Sequence, residues 1–311
     1  MKFILITSIL LLSLSACNKW KGYDDKRSDN AKILDIDLKG SLQNPSFSPD
    51  GTKIVFTRFK KGYYKGKADL FVYTFATGNL RELVIDNGAN INLPGSTWSP
   101  VTNQITFSSE RDTHDEIFII DANGVNGDEI QLSSRTDRQS FEPSFSPNGD
   151  WVMFESHPID VEKEGVITKY KVDGSSDYIE LSNSSENLKQ PNWSPVGDKI
   201  LYQKQTGEQW DLWVMDIDGE NKTKITSNGE STDAAFTSDG EWIIYSSGGE
   251  GVEMANIFKI NITTKERIRL TTSGAYDGAP SISADGTKVC FESYPGEPNK
   301  SKGTKLVIIN L

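Results

Sequence analysis

The sequence predicts an all-β chain: a six-bladed β-propeller of four-stranded blades, closed by an N-terminal strand that completes the last blade. Two observations predict it. First, one phrase returns six times: an anchor residue flanked by Ser or Thr, a tight turn, then a short apolar strand. Its copies are Pro45-Ser46-Phe47-Ser48-Pro49-Asp50-Gly51, Ser96-Thr97-Trp98-Ser99-Pro100, Pro143-Ser144-Phe145-Ser146-Pro147-Asn148-Gly149, Pro191-Asn192-Trp193-Ser194-Pro195, Ala234-Ala235-Phe236-Thr237-Ser238-Asp239-Gly240 and Pro280-Ser281-Ile282-Ser283-Ala284-Asp285-Gly286. Successive anchors lie 43 to 51 residues apart. A repeat of that length built from strands marks blades that cannot bury their faces alone. Second, the strand after each turn contains a triplet that opens on a β-branched residue and closes on an aromatic. The six are Ile54-Val55-Phe56, Ile105-Thr106-Phe107, Val152-Met153-Phe154, Ile200-Leu201-Tyr202, Ile243-Ile244-Tyr245 and Val289-Cys290-Phe291.

Each repeat reads as four strands in order. In the first, residues 46–48 are the inner strand, 53–57 the second, 70–74 the third and 80–84 the outermost. Residues two apart share a strand face, so the ends of each triplet face one neighbouring blade and its middle residue faces the other. Third strands recur in Ile117-Phe118-Ile119-Ile120, Leu212-Trp213-Val214-Met215 and Leu306-Val307-Ile308-Ile309, with Ile167-Thr168-Lys169-Tyr170 the weakest match. The last repeat stops after its third strand. The alternating segment Ile33-Leu34-Asp35-Ile36-Asp37-Leu38 is expected to supply the missing outer strand, which removes two sheet edges.

Residues 1–16 stand outside the fold. Lys2 precedes an apolar stretch too short to span a bilayer, ending in Leu14-Ser15-Ala16-Cys17, the pattern of a cleaved signal. It resembles the bacterial lipobox, which implies lipidation at Cys17, and Asn18 as the next residue implies the outer membrane. Residues 17–30, rich in Lys, Asp and Asn, read as a flexible tether, and 31–311 as the propeller. With 33 basic and 44 acidic residues the net charge is −11. That argues against a nucleic-acid partner and against charge-driven docking on anionic membrane. Cys290 lies in a strand pattern and reads as a buried apolar residue.

The repeats resemble the propeller domain of TolB and its relatives. The residues that carry the resemblance are Trp98-Ser99-Pro100, Trp193-Ser194-Pro195, Phe107-Ser108-Ser109-Glu110-Arg111-Asp112, Asp211-Leu212-Trp213-Val214-Met215-Asp216 and Gln131-Leu132-Ser133. It extends from residue 31 to the end. It implies an envelope protein facing the periplasm and a partner of the peptidoglycan-associated-lipoprotein class.

Little in the chain carries chemistry. No Gly-x-Ser-x-Gly elbow and no phosphate-binding Gly-rich loop occurs. The only histidines, His114 and His157, are expected in loops between second and third strands of adjacent blades, where Asp112 and Asp115 offer further metal-type ligands. They are read as solvated loop residues, so no catalytic residue, metal or cofactor is expected. Asp216-Ile217-Asp218-Gly219 and Asp121-Ala122-Asn123-Gly124 lack calcium-loop spacing and read as hairpin turns.

The loops between second and third strands are long and unlike one another, and share a face with the connectors into each inner strand. There the sequence places Lys61, Tyr63, Tyr64, Lys65, Arg111, His114, His157, Trp210 and Tyr294, aromatic and basic residues suited to partner contact. Asn44, Glu142, Gln190 and Asp233 are expected around the mouth of the central channel. The expected function is that of a monomeric, non-enzymatic recognition module for an envelope protein or glycan. The alternative is a carbohydrate-active propeller, metal-assisted through the histidines.

Overall fold

The computed structural model describes residues 29–85, 91–92, 97–111, 114–161, 163–227, 230–248, 254–294 and 303–311. Six four-stranded antiparallel sheets form the blades, five taken in chain order from an inner to an outer strand and the sixth completed on its outer edge by the N-terminal strand. Blade 1 comprises Ser41–Phe47, Lys53–Phe59, Ala68–Thr74 and Asn79–Val84; blade 2 comprises Ile91–Asn92, Gln104–Ser109, Glu116–Asp121 and Ile130–Gln131. Blade 3 runs Arg138–Phe145, Trp151–Pro158, Val166–Lys171 and Tyr178–Glu180, and blade 4 runs Leu188–Trp193, Lys199–Thr206, Gln209–Asp216 and Thr223–Lys224. Blade 5 holds Ser231–Phe236, Trp242–Ser247, Asn256–Asn261 and Arg267–Arg269, and blade 6 holds Asp277–Ile282, Lys288–Ser293, Lys305–Asn310 and the N-terminal Lys32–Ile33.

The triplets pack as their alternation predicts. Ile54 and Phe56 join Cys290 and Leu306 at the interface of blades 6 and 1, while Val55 joins Ile105 and Phe107 between blades 1 and 2. Met153 meets Ile200 and Tyr202 between blades 3 and 4, Leu201 meets Ile243 and Tyr245 between 4 and 5, and Ile244 meets Val289 and Phe291 between 5 and 6. The closing aromatic of each triplet is fully buried, and each such ring contributes about 1.5–3 kcal/mol.

The repeated phrase is the hardware of the turn. Ser48, Ser146, Thr237 and Ser283 accept the backbone N–H five residues on, at 3.0–3.1 Å. The glycine of each turn takes a positive φ, +71° at Gly240, where a Cβ would also stand 2.9 Å from Val196. The preceding Ser works between blades: Ser144 and Ser281 accept the N–H of Trp193 and Phe47 in the next blade, both at 3.2 Å. Asp50, Asp239 and Asp285 accept backbone N–H groups two residues on, at 2.9–3.0 Å.

Closure differs in detail from the expectation. The strand that completes blade 6 is only Lys32–Ile33, pairing with Ile308 and Val307. The alternation over residues 34–38 serves packing instead: Ile36 is buried, and Leu34 and Leu38 pack beside it against blades 6 and 1. The segment seals the ring with side chains more than with ladder hydrogen bonds. Ile36→Ala is therefore expected to cost about 2–4 kcal/mol, whereas Ile33→Ala, at a side chain 53% exposed, should stay within about 0.5 kcal/mol. Urea unfolding of the two variants checks this.

Candidate functional site

Five inner strands share a device that combines a register slip with a left-handed residue. Their register against the second strand slips between Gln43 and Ser46, Phe141 and Ser144, Lys189 and Asn192, Thr232 and Ala235, and Gly278 and Ser281. At each slip one non-glycine residue adopts a left-handed backbone: Asn44 (φ 51°), Glu142 (57°), Gln190 (48°), Asp233 (51°) and Ala279 (45°). Each such residue costs of order 1 kcal/mol, repeated in five blades. The slips set these residues around the propeller axis, where Glu142, Gln190, Asn192, Asp233, Ala279 and Pro280 line a narrow cavity of about 20 Å³.

At three of the slips the N–H is bonded by the blade before. Asn44 N–H donates to Glu292 Oε2 (3.1 Å), Gln190 N–H to Glu155 Oε2 (2.8 Å) and Asp233 N–H to Gln190 Oε1 (3.1 Å). Gln190 also spans the mouth, its Nε2 donating to Glu142 Oε1 (2.8 Å) and Asp233 Oδ1 (3.0 Å). Of the four residues expected at the channel mouth, all take left-handed slip positions, and Glu142, Gln190 and Asp233 line the cavity. Glu155 and Glu292 were not expected there. Each follows the closing aromatic of its triplet and so faces the next blade, a position the aligned repeats mark.

Burial sets the electrostatics. It raises Glu142, and the charge of Glu155 raises it further. Burial would raise Glu155 too, but the hydrogen bond from His157 (2.8 Å) and the charge of Lys189 hold it down at about 2. Asp233 is raised by burial, against hydrogen bonds from Gln190 and Thr232. Glu292 is pushed up to about 8 by burial and then by Asp233.

Tyrosines cap this mouth. The loop between the second and third strands of blade 1 folds Tyr63 and Tyr64 together, centroids 4.6 Å apart, and sets Tyr63 4.9 Å from Tyr294 and 6.2 Å from Tyr276 of blade 6. Tyr64 has φ 49° and donates its N–H to Gln43 Oε1 at 3.3 Å. The residue as a whole is 43% exposed; even so, desolvation and the charges of Glu292, Asp233 and Glu142 raise its phenol well above the ordinary value. Lys61 and Lys65 stand exposed on the same loop.

The other expected loop residues are placed differently. His157 is not in a loop: it ends the second strand of blade 3, buried behind Glu155. Trp210 also lies in a strand, the third of blade 4, opposite Gln205 and beneath the Lys189 ammonium at 5.6 Å from its ring. Strands in blades 3 and 4 run on past the point where the other repeats turn into loops. His114 is in its loop, but Nε2 is held 2.6 Å from the Arg135 carbonyl and 3.1 Å from Glu116. Arg111 pairs with Glu129 at 2.6 Å and lies over the Phe118 ring. Asp112 and Cys17 lie outside the described residues. Among the described residues no three His, Cys, Asp or Glu side chains are grouped to hold a metal, and no helix is long and apolar enough to cross a membrane.

These features define a closed propeller scaffold with one elaborated face, centred on an acidic, tyrosine-capped mouth. The chain belongs to the TolB beta propeller domain family, whose model matches residues 29–251 and 174–302. It is similar to the Tol-Pal system protein TolB of Francisella tularensis subsp. holarctica, 28% identical over 188 residues, 60% of this chain and 41% of that protein. The chain thus spans less than half the length of the curated relatives it matches. Among solved structures, one assigned as a TolB from Agrobacterium tumefaciens aligns with TM-score 0.63 at 14% identity, covering 88% of this chain and 91% of that one. An oligogalacturonate lyase in complex with manganese aligns with TM-score 0.60 at 13% identity, covering 93% and 98%. Both likenesses show the fold alone.

The raised acids give a pH dependence. Glu292 at about 8, against an ordinary 4.5, and Asp115, also raised to about 8 from 3.8, hold their protons more tightly folded than unfolded. Their stabilising share is full below the unfolded value and is lost as pH rises through about 8. The melting temperature is expected to fall between about pH 5 and about pH 9, and Glu292→Gln should flatten that decline. A melting temperature that rises across this window contradicts the assignment.

Proposed function

We propose that this propeller is a recognition and scaffold module of the bacterial cell envelope, binding a protein partner, or a glycan, through its loop face without catalysis. The observation that carries the reading is the axial mouth. Five blades hold a strained backbone to build it, such strain is concentrated at functional sites, and tyrosines cap it on the face where the unlike loops gather. Rigid scaffolds with variable loops on one face are suited to binding. Likeness to the Tol-Pal relatives supports an envelope partner of the peptidoglycan-associated-lipoprotein class. Lipid on Cys17 would hold the monomer to the outer membrane, facing the periplasm, with residues 17–30 as tether.

One observation favours a second reading, a carbohydrate-active propeller. Glu142 and Glu155 are adjacent carboxyls held in opposite directions, and such a pair can divide acid and base roles.

The test is cross-linking of the full-length protein in intact cells, followed by mass spectrometry of what co-purifies. A variant with Tyr63, Tyr64 and Trp210 replaced by Ala runs beside it. A protein captured by the wild type and reduced roughly tenfold or more in the variant is the expected result. Equal capture by both contradicts the loop-face reading. Turnover of uronides or other glycans, lost in Glu142→Gln, would establish the second reading instead.

A further inference from the structure

The donors at the axial mouth are fully engaged. Gln190 of blade 4 gives its N–H to Glu155 Oε2 (2.8 Å) and the two hydrogens of its Nε2 to Glu142 Oε1 (2.8 Å) and Asp233 Oδ1 (3.0 Å). Its Oε1 accepts the Asp233 N–H (3.1 Å). His157 Nε2 meets the other oxygen of Glu155, Oε1, at 2.8 Å. Three of the four carboxyl oxygens of Glu142 and Glu155 therefore have a nitrogen donor. The fourth, Oε2 of Glu142, is shut off from solvent and receives no N–H or O–H from the described residues. What Glu142 meets there is the carboxyl of Glu155, in hydrogen-bond contact. Two ionised carboxylates are acceptors only, so a hydrogen bond between them requires one proton.

We infer that Glu142 and Glu155 share a single proton, and that this proton latches the axial mouth. With it in place, the carboxyl pair of blade 3 is tied to Gln190 of blade 4 and, through that side chain, to Asp233 of blade 5. When it leaves, two like charges face each other away from water and the latch loosens. Strained backbone brings the parts into reach, since Glu142 and Gln190 both stand at left-handed slip positions (φ 57° and 48°). The groups facing the pair are His157 behind Glu155, Lys189 on the inner strand of blade 4, Asp233 across Gln190 and Tyr64 on the blade 1 loop; Glu292 acts on Asp233 from blade 6. His157 and Lys189 favour the one carboxylate that the pair retains, and the proton belongs to the pair, so both carboxyls titrate as one unit. The latch is a property of the mouth itself and goes beyond the proposed function, whichever partner the loop face binds.

The test follows the proton in the full-length protein. In the infrared at about pH 7, where ordinary carboxyls are ionised, the wild type should show a protonated-carboxyl band that is lost in Glu142→Gln. Glu292 and Asp115 also hold protons there, so the difference between the two spectra makes the assignment. By NMR, the amide protons of Gln190 and Asp233 should shift together with one midpoint above the ordinary glutamate value of about 4.3. That shared titration should be lost in Glu142→Gln, whose amide supplies the donor at every pH, and kept in Glu292→Gln. Melting temperatures report whether the variants fold. An acid band unchanged in folded Glu142→Gln, or a titration that persists there or vanishes in folded Glu292→Gln, overturns the inference. So do wild-type amides that fail to shift together above the ordinary range, whatever the folding of the variants. Partner capture through Tyr63, Tyr64 and Trp210 is read separately, so the failure of one reading leaves the other standing.

Discussion

The constraint on which this structure depends is that no blade can bury both its faces alone. A four-stranded sheet with apolar residues on two sides must find a neighbour on each, and a ring is the arrangement in which every blade does. The triplets solve this at the level of single residues. A β-branched residue and an aromatic turn one way, and the residue between them turns the other, so five interfaces receive one side chain from a blade and two from the blade that follows it around the ring. The same logic explains the N-terminal segment, whose Ile36 fills the gap between the last blade and the first.

Function follows from what that ring does at its centre. Inner strands converge on the axis, and a straight strand would direct alternate side chains into the neighbouring blades. One left-handed residue in each of five inner strands breaks the alternation and sets Asn44, Glu142, Gln190 and Asp233 around the axis. The N–H groups released at Asn44, Gln190 and Asp233 are bonded by a side chain of the preceding blade, so these blades are coupled at the axis by polar contacts as well as by packing. Acids gathered in this way are poorly solvated and repel one another, and Glu142, Asp233 and Glu292 are raised as a result.

The fold was legible because propeller packing imposes a strict period on short motifs, and six copies of anchor, turn and triplet leave little freedom. Asn44, Glu142, Gln190 and Asp233 follow the same period, since each precedes its anchor by a fixed interval of three. What the repeats did not reveal was conformation. Asn tolerates the left-handed region, but nothing in the residue types at Glu142 or Gln190 announces a positive φ, which glycine ordinarily signals. Glu155 and Glu292 were hidden inside apolar strands, where an acid reads as an exception and not as an axial group. The sequence around His157 and Trp210 reads as loop because strand ends in blades 3 and 4 are set by cross-strand pairing, which local composition does not mark.

The central claim is that the loop face, and the axial mouth within it, is where a partner binds. The most direct measurement is site-specific photo-cross-linking of the full-length protein in intact cells, with the reactive residue placed in turn at Tyr64 on the mouth and at Asp239 on the opposite turn face. Adducts to one discrete protein from Tyr64, and none from Asp239, are the predicted result. Adducts from Asp239 alone would put the partner on the opposite face and contradict the account.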